Sequence, residues 1–325
     1  MKKNERFVIG LDVGGTHIRG VLFEVSGQAV LASSIERLGD DKSPKTVCDL
    51  IQKTIATLCH NAEIHRNAID AVGVGFAGWI DRLSGTVSLA PNLGWRNVAF
   101  AGMLVQKLSS LVFLFNDLSA VTYGEWRLGA ARDCSDVLCV FVGSGLGGGL
   151  ILDGKPYEGS KGYAAELGHI TVVPGGEKCG CGASGCLEAY VGGRYLEAKL
   201  VRECAAGNLK TVLQAAGGRL DAITVASLET AVRIGDKESL DFIQVSARYL
   251  TLGLSTALKI LNPSCVVLGG GVMTHLPTLF DETTSMMQAM TPQAFLEGLE
   301  IRRSLLGDQA GAVGAALLAQ DRASR

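Results

Sequence analysis

The chain has 325 residues, 47% apolar and 19% charged, enough to bury a substantial core split over two lobes. Its net charge of −2 offers no basic field to nucleic acid or an anionic membrane, and no stretch reaches the ~18 apolar residues of a membrane span. The apolar run after Met1-Lys2-Lys3 breaks at Asp12, so no signal peptide is expected, and nine cysteines, an odd count, suit a reducing cytosol and not a disulfide framework.

Residues 7–11 are a short apolar run and 18–25 are mostly apolar, on either side of Asp12-Val13-Gly14-Gly15-Thr16, a strand, glycine turn and strand. Adjacent glycines let backbone N–H groups approach an anion, Thr16 adds a hydroxyl, and Asp12 at a strand end could hold Mg²⁺ directly or through water. A plain hairpin turn has the same local sequence. Residues 29–35 read as a third strand. Ser43-Pro44 opens a helix whose apolar stripe is Val47, Leu50, Ile51, Ile55 and Leu58. Residues 69–76 read as a strand leading into Ala77-Gly78, and Ser84-Gly85 as a turn. Asn92 stands in the loop Pro91-Asn92-Leu93-Gly94, either as a polar group for a ligand or as an ordinary Asx turn.

Residues 111–115 form a fully apolar strand ending at Asn116-Asp117, ahead of a helix over 118–128. A carboxylate at that place suits a catalytic site; a helix N-cap is the competing reading. Residues 137–142 are another buried strand. Gly143-Ser144-Gly145-Leu146-Gly147-Gly148-Gly149 then reads as a turn and residues 150–152 as a strand. The device at residues 12–16 thus occurs twice, the pattern expected of two similar lobes facing one anion. The second turn is not a Walker A loop, since no Gly-Lys-Ser/Thr follows. It is not a dinucleotide fingerprint either, since a strand and not a helix comes next.

Residues 166–188, ELGHITVVPGGEKCGCGASGCLE, carry the densest chemistry. Cys179, Cys181 and Cys186 in a glycine-rich loop, with His169 upstream, are the Cys₃His set of a closed tetrahedral zinc site. Bound zinc would order a loop with little apolar surface and fix Glu166 and Glu188 at its flanks. Reduced cysteines without a metal are the alternative. Helical periodicity follows over 194–204, 224–234 and 239–261, stopped by Asn262-Pro263. Residues 265–268 are a short strand before Gly269-Gly270-Gly271, whose bare backbone suits a flat nucleoside or a tight turn. Residues 299–302 suggest an edge strand. Residues 308–320 form an Ala/Leu-rich helix, with Gly311 and Gly314 permitting close packing.

The motifs DVGGTH at Asp12, PNLGW at Pro91, ND at Asn116, GSGLGGG at Gly143, ELGH at Glu166, CGCGASGCLE at Cys179 and LGGGV at Leu268 stand in one order. That order resembles the ROK family of sugar kinases and repressors over nearly the whole chain. The resemblance implies an α/β architecture, the two-lobed actin-like (ribonuclease H-like) ATPase fold, with a duplicated mixed β-sheet core and a cleft between the lobes. It implies a small lobe over 1–120, completed by a C-terminal helix over 307–325, and a large lobe over 121–306 carrying the zinc loop. The activity it implies is ATP-dependent phosphorylation of a hexose, D-glucose first, with N-acetylmannosamine or fructose as alternatives.

The resemblance also assigns positions. Asp117 matches the catalytic base. Gly78, Asn92, Asn116, Asp117, Glu166, His169 and Glu188 match sugar-binding positions. Asp12, Gly14, Gly15 and Thr16 match the first phosphate motif, with Asp12 near Mg²⁺. Gly143, Ser144, Gly145 and Gly147 match the second phosphate motif, and Gly269, Gly270 and Gly271 the adenosine motif. His169, Cys179, Cys181 and Cys186 match the zinc ligands. Two positions depart: His17 stands where many members have Lys, and Ala165 replaces the Gly usual before the Glu. Family repressors carry a helix-turn-helix domain ahead of the first phosphate motif; only residues 1–11 precede Asp12, so no DNA reader is expected. A cytoplasmic homodimer is the assembly the resemblance suggests.

Overall fold

The computed structural model describes residues 6–26, 28–81, 84–108 and 110–324. Residues 1–3, read above for a leader, lie outside them, as does residue 325 at the end of the expected C-terminal helix. The first half opens with β1 (Phe7–Val13), β2 (His17–Glu24) and β3 (Ala29–Arg37), an antiparallel meander. All but one residue of β1 is buried, as an apolar strand covered on both faces must be. α1 (Pro44–Asn61) starts where the Ser43 side chain accepts from the Thr46 N–H, with Pro44 in its first turn. β4 (Ile69–Phe76) follows. β5 (Trp79–Asp81), β6 (Thr86–Ala90) and β7 (Trp95–Val98) form a separate antiparallel sheet; then come α2 (Phe100–Val105), β8 (Leu111–Asn116) and α3 (Asp117–Leu128). The main sheet runs β3-β2-β1-β4-β8, with β1, β4 and β8 parallel.

The second half repeats the plan. β9 (Val137–Val142), β10 (Leu146–Leu152) and β11 (Lys155–Tyr157) are the meander. Helices α4 (Glu188–Val191), α5 (Gly193–Ala205), α6 (Lys210–Ala215), α7 (Val225–Arg233) and α8 (Lys237–Leu261) come next. β12 (Cys265–Gly269) adds in parallel beside β9. After α9 (Gly271–His275) and α10 (Pro277–Met290), β13 (Glu300–Arg303) adds beside β12, giving the order β11-β10-β9-β12-β13. The two sheets therefore share one topology, the duplication expected from the repeated glycine turn. α8 stops at Asn262, in the left-handed conformation at φ 44°, before Pro263. Among the described residues, no helix is long and apolar enough to cross a membrane.

α11 (Ala310–Ala323) closes the chain. Its residues 310–319 are all buried, which is why they are mostly Ala and Gly. One apolar cluster joins Val8, Phe115, Val137 and Val267 from both sheets to Tyr123 of α3 and Val313 of α11. These two helices thus lie where the sheets meet, and they cross at backbone distance: a Cβ on Gly124 would come within 2.8 Å of the Ala310 carbonyl, and one on Gly314 would overlap the Ala120 carbonyl. Gly314→Ala is expected to cost at least about 2 kcal/mol, because backbone, not a flexible side chain, must move. The shift in urea midpoint at unchanged slope measures it.

The structure corrects several expectations. The second glycine turn covers only 143–145; Gly147, Gly148 and Gly149 lie inside β10. A Cβ on Gly147 would overlap Leu118, and one on Gly149 would overlap Thr122, so these glycines let α3 rest on the strand. Gly269 ends β12 and Gly271 begins α9, leaving Gly270 alone between them at φ 94°. The sheet over 79–98 was not read, because strands of three to five residues show too little alternation. α10 was also missed, although Pro277 in its first turn and the buried Leu279, Thr283 and Met287 at four-residue spacing were available.

Candidate active site

The parallel strands deliver the candidate residues at their C-terminal ends. Asp12 pairs with Gly75 across β1 and β4, and Phe76 with Asn116 across β4 and β8. Asp12, the chain at 75–78, Asn116 and Asp117 therefore share one edge, the ligand edge of an open α/β sheet. In the second sheet Gly269 pairs with Phe141, which brings the turns at 143–145 and 269–271 together.

The N-cap question resolves at Asn116. Its Oδ1 accepts from the N–H groups of Leu118 and Ser119, both at 3.0 Å, and its Nδ2 donates to the Gly78 carbonyl at 3.0 Å. Asn116 is the cap, and one amide N–H is left for a ligand. Gly78 acts through its carbonyl, and its side-chain space is filled by the passing Leu89 carbonyl. With capping done by its neighbour, Asp117 is free to face the edge; its Oδ1 accepts the adjacent Leu118 N–H at 2.9 Å.

Asp12 and Asp117 form the electrostatic centre. Burial pushes the Asp117 carboxyl up to about 7, with Asp12 the next cause and Glu166 a lesser one. Burial likewise raises Asp12 to about 6, opposed by the Arg19 guanidinium. Two half-buried carboxyls held above their usual range, with Asp12 adding to the shift of Asp117, make a site a cation would relieve, so the residues fit Mg²⁺ at Asp12. Arg19 pairs across the strands with Asp12 and lies 3.5 Å from Asp308. Sequence reading missed it, since its partner Asp308 is distant in the chain.

The glycines sort by what their missing side chains leave open. A Cβ on Gly143 or Gly271 would meet nothing within 4 Å, so these backbones are accessible to a ligand. A Cβ on Gly15 would approach that of Asn92 at 3.2 Å; Gly15 makes room for the 3-10 turn Pro91–Leu93, which sets Asn92 against the first glycine turn. A Cβ on Gly145 would overlap the Glu188 carboxylate. Gly147 is small for the packing reason given above; a Cβ on Gly269 would overlap Phe141 and Ser304, and one on Gly270 the Val142 carbonyl. Thr16 Oγ1 lies 3.0 Å from His17 Nδ1, and the Ser144 carbonyl accepts from the Arg194 N–H at 3.1 Å.

His169, Cys179, Cys181 and Cys186 converge, their ligand atoms all within 4.8 Å of one another. Cys181 and Cys186 sulfurs are 3.7 Å apart, and Cys179 Sγ is 3.7 Å from His169 Nδ1. A tetrahedron with Zn–S bonds of about 2.3 Å has edges of about 3.8 Å, so the donor set fits zinc in both type and spacing. The other His169 nitrogen, Nε2, lies 3.7 Å from Glu166 Oε2. Burial raises the Glu166 pKa, opposed by His169 and by a hydrogen bond with Trp79. Trp79 stacks against Tyr163 at 5.4 Å, two aromatic residues that sequence reading did not assign. Ala165, just before Glu166, sits at φ 64°, where an L-residue is strained by about 1–2 kcal/mol. A Gly there would be unstrained, which is the physical content of that departure.

Glu188 is engaged on both oxygens. Oε1 accepts from Arg194 Nη2 at 2.7 Å and Oε2 from the Leu146 N–H at 3.0 Å. Cys179 Sγ is 3.7 Å from Oε1. A carboxylate has about four lone-pair directions, so acceptor capacity remains for a ligand.

Comparison with known proteins gives the following. The family model described as "ROK family" matches residues 8–322. The chain is 31% identical over 316 residues to a glucokinase of Streptomyces coelicolor, covering 96% of this chain and 97% of that one. It is 28% identical over 317 residues to a xylose repressor of Caldicellulosiruptor bescii, covering 97% and 78%. Among solved structures, a ROK family glucokinase from Streptomyces griseus in complex with glucose and AMPPNP superposes with a TM-score of 0.81 at 32% identity, covering 97% of this chain and 99% of that one.

Proposed function

The chain belongs to the ROK family, and from that premise we propose that it is a hexose kinase transferring the γ-phosphoryl group of ATP to the 6-hydroxyl of a hexose, D-glucose first. The observation that carries this reading is the place of Asp117. Its carboxylate, at the sheet edge that also carries Asp12, feels the charge of Asp12 and, more weakly, of Glu166 beside the metal loop. A base so placed lies between a phosphate and a sugar. With a pKa of about 7 it takes the hydroxyl proton at neutral pH as the oxygen bonds to the γ-phosphorus and the bond to the leaving ADP oxygen breaks.

The other residues then have defined tasks. Asp12 holds Mg²⁺, which supplies charge neutralisation for the phosphates. Gly14, Gly15, Thr16, Gly143, Ser144 and Gly145 present backbone and hydroxyl groups to the phosphates, and the chain at 269–271 faces the nucleoside. Glu166, His169, Glu188, Asn92 and the spare amide N–H of Asn116 meet sugar hydroxyls, so an epimer that leaves one unpaired is rejected. His169, Cys179, Cys181 and Cys186 hold zinc, which orders their loop. In this reading residues 1–120 with 307–325 and residues 121–306 are the two lobes, meeting at α3 and α11.

Similarity to glucokinases, one of them in complex with glucose and AMPPNP, supports glucose as the hexose. The test is an ADP-coupled assay across glucose, fructose and N-acetylmannosamine. Glucose is expected to give the highest kcat/KM. Preference for another sugar would replace the hexose and keep the reaction. Sugar binding without ADP release would favour a regulator, as the likeness to a xylose repressor allows.

A further inference from the structure

We propose that Arg194 is a positioning residue that holds Glu188 in its sugar-facing orientation and ties that orientation to the second phosphate turn. The proposal rests on the phosphoryl-transfer reading above. Glu188 has a side chain only 9% exposed, and its ion pair is with Arg194, at 2.7 Å. A carboxylate so buried keeps a single orientation only where a countercharge and donors face it. Here the donors are the Arg194 guanidinium and the Leu146 N–H, and they hold one oxygen each.

Arg194 is itself held from three directions. Its backbone N–H donates to the Ser144 carbonyl at 3.1 Å, next to the bond from the Gly193 N–H to the Gly143 carbonyl at 2.8 Å. The first turn of α5 is therefore tied to the phosphate turn. The guanidinium also donates to the Tyr195 hydroxyl at 3.0 Å and lies 4.7 Å from the centre of that ring. The Tyr195 hydroxyl accepts from the Gly180 N–H at 2.8 Å, between two of the metal-loop cysteines. A Cβ on Gly180 would come within 2.8 Å of Arg194 Nη2, so this glycine leaves the space in which the guanidinium lies. One side chain thus spans the phosphate turn, the sugar-facing carboxylate and the metal loop. Both bonds leave one nitrogen, Nη2, whose two N–H groups are fixed in the guanidinium plane; a lysine ammonium has donors enough for both acceptors but not that fixed planar geometry.

The test compares wild type, Arg194→Lys and Arg194→Met for KM of glucose, KM of ATP, kcat and bound metal, then repeats the sugar series with 1-, 2-, 3- and 4-deoxyglucose. Arg194→Met is expected to raise the glucose KM by about tenfold or more, with the ATP KM within about twofold, and Arg194→Lys to recover part of the loss. The penalty should shrink for the one deoxy sugar lacking the hydroxyl that Glu188 accepts, because the lost orientation no longer matters there. An equal penalty for every deoxy sugar, an ATP KM that rises as far as the glucose KM, or no penalty would overturn the proposal. If Arg194→Met fails to fold, Arg194→Gln is read by the same criteria. A wild-type protein that turns over no hexose removes the phosphoryl-transfer reading itself, an outcome visible before any variant is made.

Discussion

Asp117→Asn is expected to lower kcat by about 10²- to 10⁴-fold while raising the thermal midpoint of the metal-free protein at pH 8. The rate follows from losing the proton acceptor. The stability gain follows from linkage. Burial raises the Asp117 pKa from 3.8 to about 7, so the native carboxyl holds a proton that the unfolded chain releases. Between about pH 4 and pH 7 the folded state binds more protons than the unfolded one, and stability falls as pH rises. Above about 7 the full penalty, on the order of a few kcal/mol, is present. Asparagine carries no such penalty and can still accept the Leu118 N–H. The midpoint difference between variant and wild type should therefore shrink as pH falls toward 4. In the wild type, kcat/KM should rise with pH, pass its midpoint near about 7 and level off above that, since the base works only without its proton. A variant with near-normal kcat would remove Asp117 from the chemistry, whatever its stability.

How much of this site was legible beforehand depended on whether its partners lie close in the chain. The first phosphate turn, the Cys₃His set and the end of α8 are local devices, and residues a few positions apart announced them. The second turn was read too long because Gly147 and Gly149 look like turn residues; their reason for being glycine is Leu118 and Thr122 of α3, which sequence proximity does not reveal. The roles of Asn116 and Asp117 could not be separated by sequence alone. Only the paired bonds from Leu118 and Ser119 show that the first residue caps the helix and the second is spare.

Arg19 and Arg194 left no signal at all. Each acts on a carboxylate reached by sheet register or by loop return, and an arginine at such spacing looks like any solvated surface residue. Ala165 shows the reverse case. Its departure was visible as a letter, but its meaning required the backbone angle, 64°, that a glycine would take freely. The strain sits directly before Glu166, one of the groups proposed to read the sugar.

Removal of zinc, by chelation or by Cys181→Ser, is expected to raise the glucose KM by at least about tenfold and to leave the ATP KM within about twofold. The loop has little else to hold it. From Pro174 to Ser184 only Cys179 is buried. Its internal bonds, such as Cys179 N–H to the Ala183 carbonyl at 2.9 Å and Gly185 N–H to the Glu177 carbonyl at 2.8 Å, compete with water. The metal-free cluster also resists becoming a ligand set: burial and the neighbouring thiols raise the Cys186 pKa, so zinc must displace protons and its retention weakens as pH falls. Loss of the metal frees Cys186, two residues from Glu188, and His169, three from Glu166, so both carboxylates proposed to face the sugar lose one of their anchors together. The backbone of the phosphate turns, anchored in β1, β9 and β10, does not depend on it. Metal content by atomic emission, circular dichroism and the two KM values decide the matter. Protein that is folded, free of zinc and unchanged in glucose KM would show that the loop plays no part in presenting Glu166 and Glu188.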